Sequence, residues 1–101
     1  MSDKIYTINE IKNIVSPIAE KYGVEKVYLF GSYARGEATD NSDLDFRIDK
    51  GTLKGLIMLG AMYSDLEEKF DKKLDLLTTA SLDKEFLNRI KDEEVLLYAA
   101  S

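Results

Sequence analysis

The stretch FGSYARGEATDNSDLDF, residues 30–46, joins a Gly-Ser turn to two aspartates that one leucine separates. The apolar run 27–30 before the turn predicts a buried strand, and residues 33–35 predict a short helix that ends at Gly36. Strict alternation of polar and apolar residues over 43–49 predicts a second strand with one buried and one polar face. The stretch therefore predicts a strand, a turn, a short helix and a second strand, in that order.

The Gly-Ser turn has the residue types of an anion-binding turn. Gly31 lets the backbone approach a phosphate oxygen closely, the Ser32 hydroxyl adds a donor, and a helix N-terminus carries partial positive charge. Taken alone, the dipeptide is explained more simply as a change of chain direction.

Asp43 and Asp45 lie two residues apart on the polar face of the second predicted strand. Two acids in this arrangement repel each other unless a cation lies between them, and Mg²⁺ accepts one or two protein carboxylates completed by water and phosphate oxygens. A solvated polar strand face is the alternative, and the isolated pair does not decide between the two. The fixed spacing from the Gly-Ser turn favours the metal site, because one magnesium nucleotide would satisfy both motifs.

The pattern G-S-x10-D-x-D, with Ala34-Arg35-Gly36 inside the gap, resembles the signature of the DNA polymerase beta-like nucleotidyltransferase superfamily. Within that superfamily the chain most resembles the minimal nucleotidyltransferases, one-domain proteins often encoded beside a HEPN-domain partner as antitoxins. The resemblance spans nearly the whole chain. It implies an α/β (α+β) nucleotidyltransferase-like fold, in which helices pack on a small mixed sheet of three to four strands.

By this resemblance Asp43, Asp45 and Asp75 are the catalytic residues and bind two Mg²⁺ ions. Asp75 matches the third carboxylate of the family because it lies on the strand predicted after the long helix. Its surroundings support the match, since a carboxylate in the apolar run 74–77 would cost roughly several kcal/mol to bury without a charged or hydrogen-bonding partner. An exposed acid on an edge strand is the alternative for Asp75.

The resemblance implies transfer of a nucleoside monophosphate, AMP from ATP, to a hydroxyl of a HEPN-type toxin. Gly31 and Ser32 would hold the departing phosphates. Arg35 and Arg47 are further candidates for nucleotide contacts. The alternatives are that Arg35 caps the short helix and that Arg47 forms an ion pair with Asp49, which fits equally well.

Two other functions are compatible with the sequence. The first is a non-catalytic antitoxin that covers a HEPN-type toxin with the apolar helix around Met58. The second is a nucleotidyltransferase that acts on a small molecule, which is disfavoured because the sequence shows no acceptor domain.

The composition of the chain limits the catalytic chemistry that it can perform and the partners that it can bind. At 101 residues the chain predicts one small domain, residues 1–101. It contains no cysteine and no histidine, which excludes disulfides, structural zinc, thiol nucleophiles and imidazole bases. The net charge of −5 argues against binding long nucleic acid. Without an apolar run of ~20 residues or a signal peptide at residues 1–4, we expect a cytoplasmic protein that does not enter a membrane.

The segments outside the motif predict three further helices and a third strand. A capping box at Thr7–Glu10 begins a helix that ends before Gly23, with a kink at Pro17 or a restart in which Ser16 is the N-cap. A strand over 72–78 follows the long helix. The remaining predictions are a helix capped by Ser81 and an apolar tail, 94–98, that packs on the domain as helix or strand.

The long helix is predicted over residues 53–70. Its expected core stripe is Leu53, Leu56, Gly60, Tyr63, Leu66 and Phe70. The segment 56–63 is apolar nearly all the way round. A second set of apolar side chains, outside the stripe, therefore either lies in the core or docks another protein. This set is Ile57, Met58, Ala61 and Met62.

Overall fold

The structure, a computed structural model, describes residues 4–101. Residues 1–3, which the signal-peptide prediction includes, lie outside the described residues. The helices are α1 (Ile8–Tyr22), α2 (Ser32–Arg35), α3 (Gly55–Phe70) and α4 (Lys84–Ile90); the strands are β1 (Lys26–Phe30), β2 (Leu44–Asp49), β3 (Leu74–Thr78) and β4 (Val95–Ala99). From Lys4 to the last residue, the structure has no helix with both the length and the hydrophobicity needed to cross a membrane.

The four strands form one mixed sheet in the order β3-β2-β1-β4. Strand β1 is antiparallel to both β2 and β4, whereas β2 and β3 are parallel and are connected through α3. A parallel pair needs such a crossover connection, because the chain must return to the same end of the sheet. The predicted mixed sheet with helices is confirmed, and the apolar tail supplies its fourth strand.

One face of the sheet is buried in the core and the other carries the polar residues. The alternate residues of β2, Leu44, Phe46 and Ile48, have no exposed surface. They belong to the same core cluster as residues of α1 and α3. Because neighbouring residues of a strand point to opposite faces, Asp45 lies on the other face of β2.

Helix α1 begins with the predicted capping box. The Thr7 side chain accepts from the Glu10 N–H at 3.0 Å, and the Glu10 side chain accepts from the Thr7 N–H at 2.9 Å. Of the two alternatives predicted at Pro17, a kink or a restart, the restart is wrong, because the helix is continuous from Ile8 to Tyr22. Ser16 donates its hydroxyl to the Lys12 carbonyl at 2.7 Å and therefore does not act as an N-cap.

Helix α3 begins at Gly55, and its predicted core stripe is only partly right. Met62, Leu66 and Phe70, spaced four residues apart, have no exposed surface. Leu56, which was expected in the stripe, is 85% exposed, and Ile57 is 87% exposed. The helix is therefore rotated about its axis relative to the prediction. Met62, which was predicted in the second apolar set, lies in the core, and the first turn leaves Leu56 and Ile57 on the surface.

Helix α4 is capped by Asp83, so the prediction of Ser81 as its cap is wrong. Asp83 Oδ1 accepts from the Phe86 N–H at 2.7 Å. Ser81 instead donates its hydroxyl to the Thr78 carbonyl at 2.7 Å and closes the short 3₁₀ turn after β3. The Phe86 ring meets the Phe30 ring edge to face at 5.7 Å, which places α4 beside the end of β1.

Candidate active site

The Gly-Ser turn lies between β1 and α2, as the sequence predicts. Gly31 has φ +80° and ψ −158°, a conformation that is essentially restricted to glycine. Gly36, also in the left-handed region, ends α2 after a single turn. A Cβ atom added to Gly31 would collide with Asp45 Oδ2. The turn therefore lies directly against the carboxylate of Asp45.

Asp45 and Asp75 face each other on neighbouring strands. They are register partners in the parallel pair β2 and β3. Asp45 is half-buried, whereas Asp75 is exposed on the edge strand β3, so the burial cost expected for Asp75 does not arise. The exposure fits the edge-strand alternative, but the register brings Asp75 to the aspartate that contacts the Gly-Ser turn.

The environment of Asp45 disfavours its negative charge. Burial, followed by repulsion from the carboxylates of Asp75 and Asp43, raises the pKa of Asp45 to about 6, and Arg35 lowers it only in part. Carboxylates with a pKa raised in this way are concentrated at functional sites.

Asp43 lies one residue before β2, so the second strand is one residue shorter than predicted. Its position depends on the preceding loop, in which the Thr39 N–H donates to Ser42 Oγ at 2.8 Å. Lys72, which lies two residues before β3, also holds this loop: it is buried and donates to the Asp40 carbonyl at 2.8 Å. A buried lysine therefore helps to hold the loop that leads into the aspartate pair.

Glu93 lies at the Gly-Ser turn and was missed by the sequence reasoning. Its Oε2 accepts from the Gly31 N–H at 2.7 Å and from Arg35 Nη1 at 3.2 Å. Arg35 also donates to Glu37 at 3.0 Å. Sixty-two residues separate Glu93 from Gly31, and no motif around Glu93 signals the contact.

Arg47 occupies a different part of the polar face, further along β2. It donates to Glu94 through two nitrogens, at 2.7 and 3.1 Å, and pairs with Asp49 at 3.4 Å. Its guanidinium carbon lies 4.0 Å from the centre of the Tyr28 ring. These contacts support the ion pair that the sequence left open for Arg47, and we do not include this residue in the nucleotide site proposed below.

We expect Arg47→Lys to lower the free energy of unfolding by about 1–2 kcal/mol without changing nucleotide affinity. Lysine keeps the charge but cannot reproduce the two-nitrogen contact with Glu94 or the stacking on Tyr28. Urea unfolding and titration with magnesium AMP-PNP measure the two quantities separately. Unchanged stability together with weaker nucleotide binding would instead place Arg47 in the nucleotide site.

The donor chemistry of the acidic cluster fits Mg²⁺. Asp45 and Asp75 offer hard carboxylate oxygens on neighbouring strands, and burial together with repulsion from Asp75 raises the pKa of Asp45. Among residues 4–101, no three or more acidic side chains are already arranged as a complete metal site. Mg²⁺ needs only one or two protein carboxylates, because water and phosphate oxygens complete its shell. Two carboxylates such as those of Asp45 and Asp75 meet this requirement, and the metal-binding roles of Asp43, Asp45 and Asp75 stay predictions.

Comparison with known proteins agrees with this fold and motif. Residues 9–101 match the family model described as Polymerase beta, Nucleotidyltransferase. The chain belongs to this family of nucleotidyltransferases.

Relatives within the family narrow the class further. The relative named "Putative protein adenylyltransferase MJ0435", from Methanocaldococcus jannaschii, is 41% identical over 88 residues, which cover 87% of this chain and 95% of the relative. The relative named "Protein adenylyltransferase MntA", from Thermococcus cleftensis, is 32% identical over 80 residues, which cover 75% of this chain and 81% of the relative. Both are named as enzymes that transfer an adenylyl group to protein.

Solved structures share the fold. A crystal structure of a toxin-antitoxin with AMP-PNP has a TM-score of 0.73 at 22% identity, covering 89% of this chain and 74% of that chain. A complex of tri-AMPylated Shewanella oneidensis HEPN toxin with MNT antitoxin has a TM-score of 0.69 at 18% identity, covering 93% and 74%. At these identities the likeness establishes the nucleotidyltransferase fold.

Proposed function

We propose that this chain transfers AMP from magnesium ATP to a hydroxyl of a partner protein, and that it thereby acts as the antitoxin of a toxin–antitoxin pair. The observation that carries the proposal is the meeting of Asp45 and Asp75 on neighbouring strands, with Gly31 directly against Asp45. The adenylyltransferase relatives support the choice of AMP. The complex of a tri-AMPylated HEPN toxin with MNT antitoxin supports a HEPN-type toxin as the acceptor. In this proposal both proteins are cytoplasmic.

In this proposal the acidic residues hold the metal and receive the proton of the acceptor. Asp43, Asp45 and Asp75 would hold Mg²⁺, and two ions is the number implied by the family resemblance. Bound Mg²⁺ offsets the charge on the attacking and leaving oxygens during phosphoryl transfer. Asp75 is the exposed member of the meeting pair, so an acceptor hydroxyl of a second protein could reach it and lose its proton there.

The Gly-Ser turn holds the phosphates that leave. The Gly31 N–H and the Ser32 hydroxyl donate to phosphate oxygens, and Arg35 adds positive charge at the other end of the same single-turn helix. A triphosphate bound in this way would lie beside Asp45, because the turn and that carboxylate are in contact. The acceptor then approaches from the side of the edge strand β3.

A second candidate is an antitoxin that neutralises by binding alone. The observation that favours it is the apolar pair Leu56 and Ile57, which is largely exposed at the start of α3. Large apolar side chains exposed side by side are typical of protein contact surfaces. Neutralisation by this surface would not require the acidic site.

Labelling distinguishes the two candidates. A HEPN-type toxin is incubated with this chain, Mg²⁺ and ATP labelled at either the α- or the γ-phosphate. We expect α-label on the toxin, no γ-label, and loss of α-label with Asp45→Asn. Asp65→Asn is the matched control, because Asp65 lies on α3 and pairs with Lys21 and Tyr22. Toxin neutralisation that survives Asp45→Asn would support binding alone, and a toxin that acquires no label overturns the proposed transfer.

A further inference from the structure

The Gly31 N–H already has an anionic partner within the chain. The Glu93 carboxylate accepts a hydrogen bond from this group at 2.7 Å. Its two oxygens also accept from Arg35 Nη1, at 3.2 and 3.4 Å. The Glu93 side chain is only 23% exposed. The carboxylate is therefore held at the Gly-Ser turn, on the donors that the proposed function assigns to phosphate.

The fold delivers Glu93 to this position from the turn after α4. The N–H groups of Glu93 and Glu94 both donate to the Ile90 carbonyl, at 3.0 and 2.9 Å. Glu94 is tied to Arg47, and Phe86 of α4 packs against Phe30 of β1. These contacts fix the turn on both sides of Glu93, so the carboxylate reaches Gly31 from a fixed backbone.

A phosphate and the Glu93 carboxylate compete for the same donors. A backbone N–H forms a short, strong hydrogen bond with only one anionic oxygen at a time. Two anions next to the same N–H would also repel each other in a partly buried site. Asp45 also lies against Gly31, so two carboxylates already contact this residue before any phosphate binds. A triphosphate can therefore bind at Gly31 only after the carboxylate has moved away.

We propose that Glu93 is an internal competitor of the nucleotide: it occupies the Gly31 N–H and Arg35 in the nucleotide-free chain and leaves both when the triphosphate binds. This inference rests on the proposed function and concerns the regulation of the same site. In this exchange the Glu93 side chain rotates away from Gly31 while its backbone stays in place. Arg89, which lines the same groove as Gly31, Arg35 and Glu93, offers the displaced carboxylate a new partner.

The test is titration of Glu93→Gln with magnesium AMP-PNP at low salt. Glutamine keeps the size of the side chain but removes its charge, so we expect Kd to fall about tenfold. The gain should also appear with inorganic tripolyphosphate, should be absent with adenosine, and should shrink as salt is added. Glu85→Gln is the matched control, because it neutralises an exposed acid in the first turn of α4, the helix that precedes the Glu93 turn, and should leave Kd unchanged.

Glu93→Asp is a second variant, needed because the amide oxygen of glutamine can still accept a hydrogen bond from the Gly31 N–H. It keeps the charge but shortens the side chain by one methylene, so it should loosen the contact with Gly31 and lower Kd by a smaller factor. Equal or weaker phosphate binding in both variants overturns the inference. If the wild-type chain still labels the toxin in that case, the proposed function stands and only the role of Glu93 is lost. Absence of both nucleotide binding and labelling refutes the proposed function itself.

Discussion

Asp45→Asn is expected to reduce AMP transfer at least about 1000-fold while leaving the fold intact. Asp45 is the aspartate that contacts the Gly-Ser turn and meets Asp75 across β2 and β3, so in the proposed site it joins the metal ligands to the phosphate-binding turn. Asparagine fills the same volume but is a much weaker ligand for Mg²⁺. A loss of this size corresponds to about 4 kcal/mol of transition-state stabilisation. Single-turnover labelling of the toxin measures it.

The same substitution is expected to raise the free energy of unfolding at neutral pH in metal-free buffer. The pKa of Asp45 is raised from 3.8 to about 6 in the folded chain, so the unfolded chain releases this proton at lower pH than the folded chain does. Stability from this group is therefore greatest below about pH 4, falls as the pH rises to about 6, and stays lower above it. The full difference corresponds to about 3 kcal/mol, and we expect a gain of about 1–2 kcal/mol because water screens part of it.

Asp65→Asn is the control for this stability effect, because we expect it to change the free energy of unfolding in the opposite direction. Hydrogen bonds from Tyr22 and then Lys21 lower the pKa of Asp65, so removing its charge should lower stability above the ordinary pKa of an aspartate. Urea unfolding at pH 4 and pH 8 compares the two variants. Destabilisation by Asp45→Asn at pH 8, or transfer that continues at the wild-type rate, would contradict the role assigned to Asp45.

Gly31→Ala is expected to abolish transfer and to lower the free energy of unfolding by about 3–5 kcal/mol. Two costs combine: the backbone conformation at φ +80° and ψ −158° strains any residue with a side chain, and the new methyl group collides with Asp45 Oδ2. The turn must shift to relieve the collision, which moves its N–H away from the phosphates. Urea unfolding and labelling of the toxin measure the two losses.

Gly36→Ala is the matched control for Gly31→Ala. Gly36 also has a positive φ, +75°, but no atom lies within 4 Å of an added Cβ. Only the conformational cost applies, so we expect a loss of about 1–2 kcal/mol with transfer largely retained. Equal effects of the two substitutions would show that the contact between Gly31 and Asp45 is unimportant.

The parts of the site that lie close together in sequence could be predicted from the sequence. The strand, turn, short helix and second strand of residues 30–46 follow from local alternation, a helix stop at Gly36 and a contiguous motif. Asp75 was placed by its resemblance to the third carboxylate of the family, and the structure makes it the register partner of Asp45. The capping box of α1 was equally local, since all of its hydrogen bonds lie within residues 7–10.

The contacts that the sequence did not reveal join distant parts of the chain. Glu93 meets Gly31 and Glu94 meets Arg47 across 62 and 47 residues, and no periodic pattern encodes such pairings. The rotation of α3 was also undetermined, because a segment that is apolar nearly all the way round does not define one buried face.

The cap of α4 was misassigned for a local reason. Ser81 and Asp83 are both good N-cap residues and lie two positions apart, so residue type alone did not separate them. The 3₁₀ turn after β3 uses the Ser81 hydroxyl, which leaves Asp83 to cap the helix.

Calorimetric titration with AMP-PNP, with and without Mg²⁺, tests most directly whether Asp45, Asp75 and the Gly-Ser turn form one magnesium-nucleotide site. The account predicts binding by the wild-type chain that requires Mg²⁺, is lost with Asp45→Asn and is retained with Asp65→Asn. Binding that is independent of Mg²⁺, or that is equally strong in the wild-type chain and Asp45→Asn, would contradict it.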